Sequence, residues 1–263
     1  MNKPLPLLPS VLLCGTLLWP GLSAAATTVQ PASAQIPAVR VAHPTLASIL
    51  AVAHAGSRIV TVGDHGVILL SDDSGRSYRQ AQVVPTQALL TSVCFVDGQQ
   101  GWAAGHDGVI LHTADGGEHW ALQREDISHD NPLLSIWFKD TQHGLAVGQF
   151  GTAVQTADGG KTWASLAVET GEETDRHLNY IFGDGAPLLY VAGEAGRIYR
   201  STDSGATWTT IQTSNPGSFW AGLQLRDGRL LAAGQRGHLF VSSDQGLSWS
   251  EIASGTQQSL TDI

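Results

Sequence analysis

The apolar positions of this chain fall in short runs, among them Trp102–Ala104, Val109–Leu111 and Leu145–Val147, each opened by a glycine and closed by a glycine or a polar residue. Runs of that length between turn signals predict short β-strands rather than helices. The polar punctuation recurs as well. Thr156-Ala-Asp-Gly-Gly-Lys-Thr-Trp163 has four near-copies, at Ser71–Tyr78, Thr113–Trp120, Ser201–Trp208 and Ser242–Trp249. Their third-position acids, Asp73, Asp115, Asp158, Asp203 and Asp244, lie 42, 43, 45 and 41 residues apart. A period in that range is the mark of a repeat architecture.

The pattern Ser/Thr-x-Asp-x-Gly-x-Ser/Thr-Trp predicts a tight hairpin corner, because a short Asp side chain accepts hydrogen bonds from the backbone of its own turn. The fifth-position glycines, Gly75, Gly117, Gly160, Gly205 and Gly246, supply positive φ at little cost. The closing aromatic (Tyr78, Trp120, Trp163, Trp208 or Trp249) has a large apolar face to bury between neighbouring sheets.

Each corner is preceded by a Gly-x-x-Gly turn: Gly63–Gly66, Gly105–Gly108, Gly148–Gly151, Gly193–Gly196 and Gly234–Gly237. In the second unit the predicted order is a strand at Ser92–Val96, a turn at Asp97–Gln100, a strand at Gly101–Gly105, a turn, a strand at Val109–Thr113, the Asp corner, and a strand at Trp120–Gln123. Four short antiparallel strands repeated at this period make an all-β fold, a β-propeller of five complete blades. Leu260–Ile263 falls after the last corner much as Leu90–Val93 falls after the first, and is expected to begin a sixth blade, which makes the chain a fragment of a larger ring.

The corner is similar to the Asp-box, or bacterial neuraminidase repeat. The longer unit Val93–Trp120, repeated in form by Ile136–Trp163 with Gly144-Leu-Ala-Val-Gly148, resembles the photosystem II stability/assembly factor family. The resemblance runs from about Ser48 to the end of the chain. It implies a seven-bladed ring and a non-catalytic scaffold that assists assembly of a membrane or secreted protein partner, expected to be membrane-associated; the complete chain is expected to be a monomer and to use no cofactor. It also implies an arginine-rich patch, which cannot be carried over residue by residue.

Residues 1–26 have the form of a secretory signal, with Lys3 the only charge, an apolar run over Val11–Trp19 and a small-residue cleavage site at Ala24–Ala26. Pro20 and Gly21 interrupt that run short of a membrane span, and Leu13 before Cys14 disfavours lipidation. Export to the periplasm, or to a thylakoid-lumen-like compartment in a photosynthetic cell, is the expectation. Residues 27–47 are a linker or contain a ring-closing strand at Ala38–Ala42, and 48–263 form the propeller. The chain carries 14 Lys and Arg against 23 Asp and Glu, a net charge of −9 that does not suit nucleic acid. With Cys14 in the leader, Cys94 is a lone thiol.

Catalytic chemistry is sparse. A sialidase needs an arginine cluster, a Tyr-Glu pair and an acid/base Asp, but Tyr78, Tyr190 and Tyr199 sit in repeat-consensus positions and Tyr180 has no neighbouring Glu. The ten histidines are scattered singly, so neither a metal site nor a Ser-His-Asp arrangement is expected. Binding residues are easier to place. The strand 2–3 turns and the inter-blade connections share one face, opposite the corners, and loops on a rigid scaffold are where function concentrates. That face collects Trp220, Phe219 and Phe150 as candidate aromatic anchors, Trp220 standing where aligned repeats have Leu50, Ser92, Ser135 and Asn179. The alternative for Phe219 and Trp220 is that they fill a local core. Arg176, Arg197 and Arg236 are the candidate cations, beside an acidic loop of Glu169, Glu172, Glu173 and Asp175. Two functions remain open, the assembly scaffold and a carbohydrate-active Asp-box protein, either hydrolase or lectin.

Overall fold

A computed structural model describes residues 36–128, 131–170, 174–183 and 187–263. The signal segment, Cys14 and the acids Glu172 and Glu173 lie outside the described residues. Five four-stranded antiparallel sheets follow one another along the chain. The first comprises β1 (Ile49–Ala55), β2 (Arg58–Gly63), β3 (Ile68–Ser71) and β4 (Arg79–Gln80), and the second β5 (Leu90–Phe95), β6 (Gly101–Gly105), β7 (Ile110–Thr113) and β8 (Ala121–Arg124). The third comprises β9 (Leu133–Phe138), β10 (Gly144–Gly148), β11 (Ala153–Thr156) and β12 (Ala164–Ser165). The fourth has β13 (Leu178–Phe182), β14 (Leu189–Gly193), β15 (Arg197–Ser201) and β16 (Thr209–Gln212), and the fifth β17 (Phe219–Gln224), β18 (Leu230–Gly234), β19 (Leu239–Ser242) and β20 (Ser250–Ile252). First strands of successive sheets contact one another, so β1, β5, β9, β13 and β17 are the inner strands of adjacent propeller blades.

The predicted strands are displaced by a residue or two, for one physical reason at the inner strand. Each first strand carries a bulge near its start: Leu90 pairs with Gly105 and Ser92 with Ala104, leaving Thr91 unpaired. The same slip leaves Leu50, Leu134, Asn179 and Trp220 between paired neighbours. A bulge places two residues opposite one and redirects the extra side chain. Trp220 is therefore equivalent to Leu50, Thr91, Leu134 and Asn179, and not to Ser92 and Ser135 as simple spacing suggested. The polar members clip neighbouring blades together, Thr91 Oγ1 donating to Leu133 O at 2.6 Å and Asn179 Nδ2 to Phe219 O at 2.8 Å.

Four apolar layers fill the spaces between blades. The corner tryptophans enter them as expected. Trp120 of the second blade packs with Val60 and Leu70 of the first, and Trp249 of the fifth lies edge-on to Phe182 of the fourth at 6.5 Å. Cys94 on β5 has its thiol enclosed, and burial pushes its pKa up to about 12, which removes it from thiolate chemistry. Residues 36–47 belong to none of the five sheets. Ala38 N–H donates to Val84 O at 2.9 Å, and Gln80 Nε2 donates to Val39 O at 3.0 Å, so Ala38–Ala42 runs beside the first blade. Leu260–Ile263 likewise lies outside the sheets, with Leu260 N–H donating to Gly234 O at 2.9 Å.

The corners are built alike in all five blades. In the third, Thr156 Oγ1 donates to Asp158 Oδ1 at 2.8 Å and accepts from Gly160 N–H at 2.9 Å, while Asp158 also accepts from the Thr162 amide and hydroxyl at 2.9 and 2.7 Å. Residues four and five both take positive φ, as in Ser204 (59°) and Gly205 (94°). The indole N–H of Trp120 and that of Trp208 each close on the fifth residue's carbonyl at 2.9 Å. Ser201→Ala removes the acceptor of a buried amide and is expected to cost about 1–3 kcal/mol in denaturant unfolding.

Those bonds also set an acid limit. The Thr162 hydroxyl, then its amide, hold Asp158 at about 2 against an ordinary 3.8, and Ser77 and Ser248 do the same for Asp73 and Asp244. Because the folded-state pKa is the lower one, this stabilisation is present in full above pH ~4 and is lost as pH falls through 2. Thermal melts should show Asp158→Asn less stable than the parent at neutral pH, with the two converging in that acid window. Parallel profiles would mean that the corner carboxylate does not control acid stability.

Candidate partner-binding rim

The Gly-x-x-Gly turns form the end of the propeller opposite the corners. In the first blade Val67 N–H donates to Asp64 O at 2.9 Å across His65 and Gly66, both at positive φ (52° and 68°). This two-residue hairpin turn matches strand twist and ordinarily takes Asn, Asp or Gly at its first central position. Here that position holds His65, Asp107, Phe150, Ala195 and Arg236, with φ of 52° to 56°. Every blade thus holds a non-glycine residue in the left-handed region, and at His65, Phe150, Ala195 and Arg236 this costs about 1–2 kcal/mol each, Asp107 being the residue that tolerates the conformation best. Strain of this kind persists where the surroundings over-determine it.

What over-determines it is the crossing chain. Each turn is bonded to the start of its own inner strand, as Gln149 N–H to Pro132 O at 3.0 Å, and several are also bonded to the connection into the next blade, as Gly151 N–H to Arg176 O at 3.0 Å. A Cβ on Gly148 or on Gly151 would lie 2.1 Å from Pro132 O or 1.9 Å from Thr174 O. The glycines are the price of that close approach, and the residue between them is held out from the blade.

The six candidate residues separate into two groups. Phe150 is 54% exposed and meets His177 edge-on at 5.0 Å, and Arg236 is also exposed. Trp220, at its bulge, is half-buried and belongs to none of the four apolar layers described above. Arg176 is half-buried, and its carbonyl anchors the third turn. Two residues face inward instead. Phe219 is wholly buried, edge-on to Phe240 at 5.3 Å, because its place before the bulge points it into the blade. Arg197 donates to Glu169 at 2.5 Å, with both side chains largely covered, and Tyr199 Oη donates to the same carboxylate at 2.7 Å. Burial and then that carboxylate raise the Tyr199 pKa. Glu169 is thereby neutralised, and the acidic connection is pinned to the fourth blade.

The signals missed in the sequence are the bulge and the left-handed turn residue. The second was legible as the residue before each closing glycine. Several histidines are engaged locally, His119 with Asp115 at 2.7 Å, His238 with Glu251 at 2.6 Å and His112 with Gln100 at 2.9 Å. Among the described residues no three His, Cys, Asp or Glu converge as a metal site would require.

Five Asp-box blades carrying a rim of turns and connections define this molecule as an Asp-box β-propeller. It belongs to the Ycf48 family: the family model described as photosynthesis system II assembly factor YCF48 matches residues 38–130 and 121–263. Over 113 residues it is 32% identical to the photosystem II assembly lipoprotein Ycf48 of Synechococcus sp. (strain CC9902), a match covering 41% of this chain and 34% of that protein. The match thus spans about a third of the length of that relative. The structure of YCF48 bound to D1 peptide superposes with a TM-score of 0.64 at 21% identity, covering 83% of this chain and 74% of the other. A GH74 xyloglucanase from Xanthomonas campestris superposes with a TM-score of 0.62 at 17% identity, covering 78% of this chain and 38% of the enzyme. At these identities both likenesses are of fold.

Proposed function

We propose that this chain is a non-catalytic, exported assembly scaffold that holds a segment of a membrane protein, of the photosystem II reaction-centre kind, on its loop rim. The observation that carries this is the repeated left-handed turn, which spends backbone strain in every blade to present one side chain on a single face. Trp220, Phe150 and Arg236 are the groups there suited to anchoring a peptide, since interface energy concentrates in aromatic and arginine residues. Family membership supports the reading, and so does the related protein being captured with a D1 peptide. The form of residues 1–26 supports export, as does the relative being a lipoprotein.

The test is titration of the D1 peptide into the mature chain. Trp220→Ala and Arg236→Glu should each weaken binding by about thirty-fold, the effect of losing ~2 kcal/mol at an anchor, with the melting temperature nearly unchanged. A melting temperature that drops with Trp220→Ala would make that residue core filler. Binding unaffected by either substitution would move the site off the rim. Glycoside hydrolysis by the purified protein, abolished by rim substitutions, would replace the scaffold with an enzyme.

A further inference from the structure

The corner face carries an irregularity that the repeat makes visible. At three of the four boundaries between adjacent blades, the carbonyl of the corner's fourth residue is capped by a side chain of the preceding blade. Arg58 Nη1 donates to Gly116 O at 3.0 Å, and Gln123 Nε2 to Gly159 O at 2.9 Å. At the last boundary Arg200 Nε and Tyr190 Oη both donate to Gln245 O, at 2.7 and 2.8 Å.

Among the described residues, no side chain caps the boundary between the third and fourth blades. Strand register puts His143, Leu145 and Gln155 where other blades have Arg58, Tyr190 and Arg200. His143 turns back to Asp140 at 3.0 Å, Leu145 has no donor, and the exposed Gln155 amide makes no hydrogen bond among the described residues. Among the described residues Ser204 O accepts none either, and the side chain that reaches this corner from the third blade is Lys139, its Nζ 3.5 Å from the Ser204 hydroxyl. A cleft of about 470 Å³ opens there, lined by Trp137, Lys139, Asp140, Gln155, Thr162 and Ser204 among others.

We propose that this cleft takes an arginine side chain presented by a partner protein, supplying from outside the guanidinium that Arg58 and Arg200 supply within the chain. The chemistry matches in three respects. A guanidinium has five donors and no acceptor, which suits an uncapped carbonyl and the partly exposed Asp140 carboxylate. Its flat face stacks on an indole such as Trp137. The chain's net charge of −9 favours approach of a cation. Lysine, a point charge on a flexible stem, satisfies fewer of these groups at once. Lys139 opposes the ligand by like charge and sets an upper limit on affinity. The cleft lies on the opposite end of the blades from the rim, so the two sites are spatially separate.

Calorimetric or NMR titration of the whole chain with N-acetyl-arginine amide, against the neutral isostere N-acetyl-citrulline amide and the lysine analogue, tests this. Saturable binding of the arginine probe in the millimolar range is expected, with citrulline and lysine at least tenfold weaker. Lys139→Ala should tighten binding and Asp140→Asn should weaken it several-fold. Gln155→Arg, which rebuilds the cap in place, should abolish binding and raise the melting temperature. Equal binding of arginine and citrulline, no saturation by the arginine probe, or affinity unchanged in both Asp140→Asn and Gln155→Arg would each overturn the proposal.

Discussion

Gly105→Ala is expected to be severely destabilising. A Cβ at this position would sit 2.0 Å from Leu89 O and 2.9 Å from both Leu89 C and Leu90 Cα, all backbone atoms of the inner strand's own start. No side chain can rotate away to relieve the overlap. The strand would have to separate from His106, whose N–H donates to Leu89 O at 2.9 Å, and the turn's hold on the inner strand would go with it. The φ of −174° at Gly105 is ordinary extended backbone, so the cost is steric rather than conformational. A loss above ~4 kcal/mol is expected, against a total stability of about 5–15 kcal/mol for a domain. Gly228→Ala is the matched control. Gly228 has φ of 86° and nothing within 4 Å of the added Cβ, so only the left-handed penalty of about 1–2 kcal/mol applies. Soluble yield and chemical denaturation of the two variants check the contrast, and equal destabilisation would refute the steric account.

The second large effect is expected at Trp102. Its ring lies 3.6 Å from that of Phe138 in the next blade, at an interplanar angle of 7°, and His112 covers another side at 4.9 Å. The residue is 1% exposed and sits among Ile110, Leu133, Ile136 and Val154, where the second and third blades meet. Trp102→Ala should cost about 3–5 kcal/mol, because the rigid sheets on either side cannot close the void. The burial that lowers the His112 pKa would be relieved as well. Trp102→Phe should behave differently. The indole N–H has no hydrogen-bond partner in this layer, so its removal offsets part of the lost contact, and a cost well below that of the alanine variant is expected. Urea midpoints measure both. A phenylalanine variant as unstable as the alanine one would show that the indole's fit, not the stacked area, holds the blades together.

The two effects act at different levels of the same design. Gly105 lets a turn approach the inner strand of its own blade, and Trp102 joins one blade to the next. Neither touches the exposed Phe150 and Arg236 or the half-buried Trp220. Binding losses at the rim and stability losses in the layers should therefore be separable.

The sequence by itself determined the repeat, the four-stranded antiparallel blade and the corner with its Asp, glycine and aromatic, because each rests on local chemistry. Asp158 bonds within its own turn, and the glycines answer to backbone geometry a few residues away. It also separated the two faces, since alternating hairpins must place the strand 2–3 turns opposite the corners. Tertiary structure decided the rest. Whether an arginine is presented or consumed depended on a carboxylate 28 residues away: Arg197 is taken by Glu169, whereas Arg236 is exposed. Adjacent aromatics in one strand parted because a bulge turned Phe219 inward and left Trp220 half-exposed, and a bulge is a property of pairing between strands. The uncapped boundary at Ser204 belongs to the assembled blades, since each cap spans two blades and no single repeat contains it.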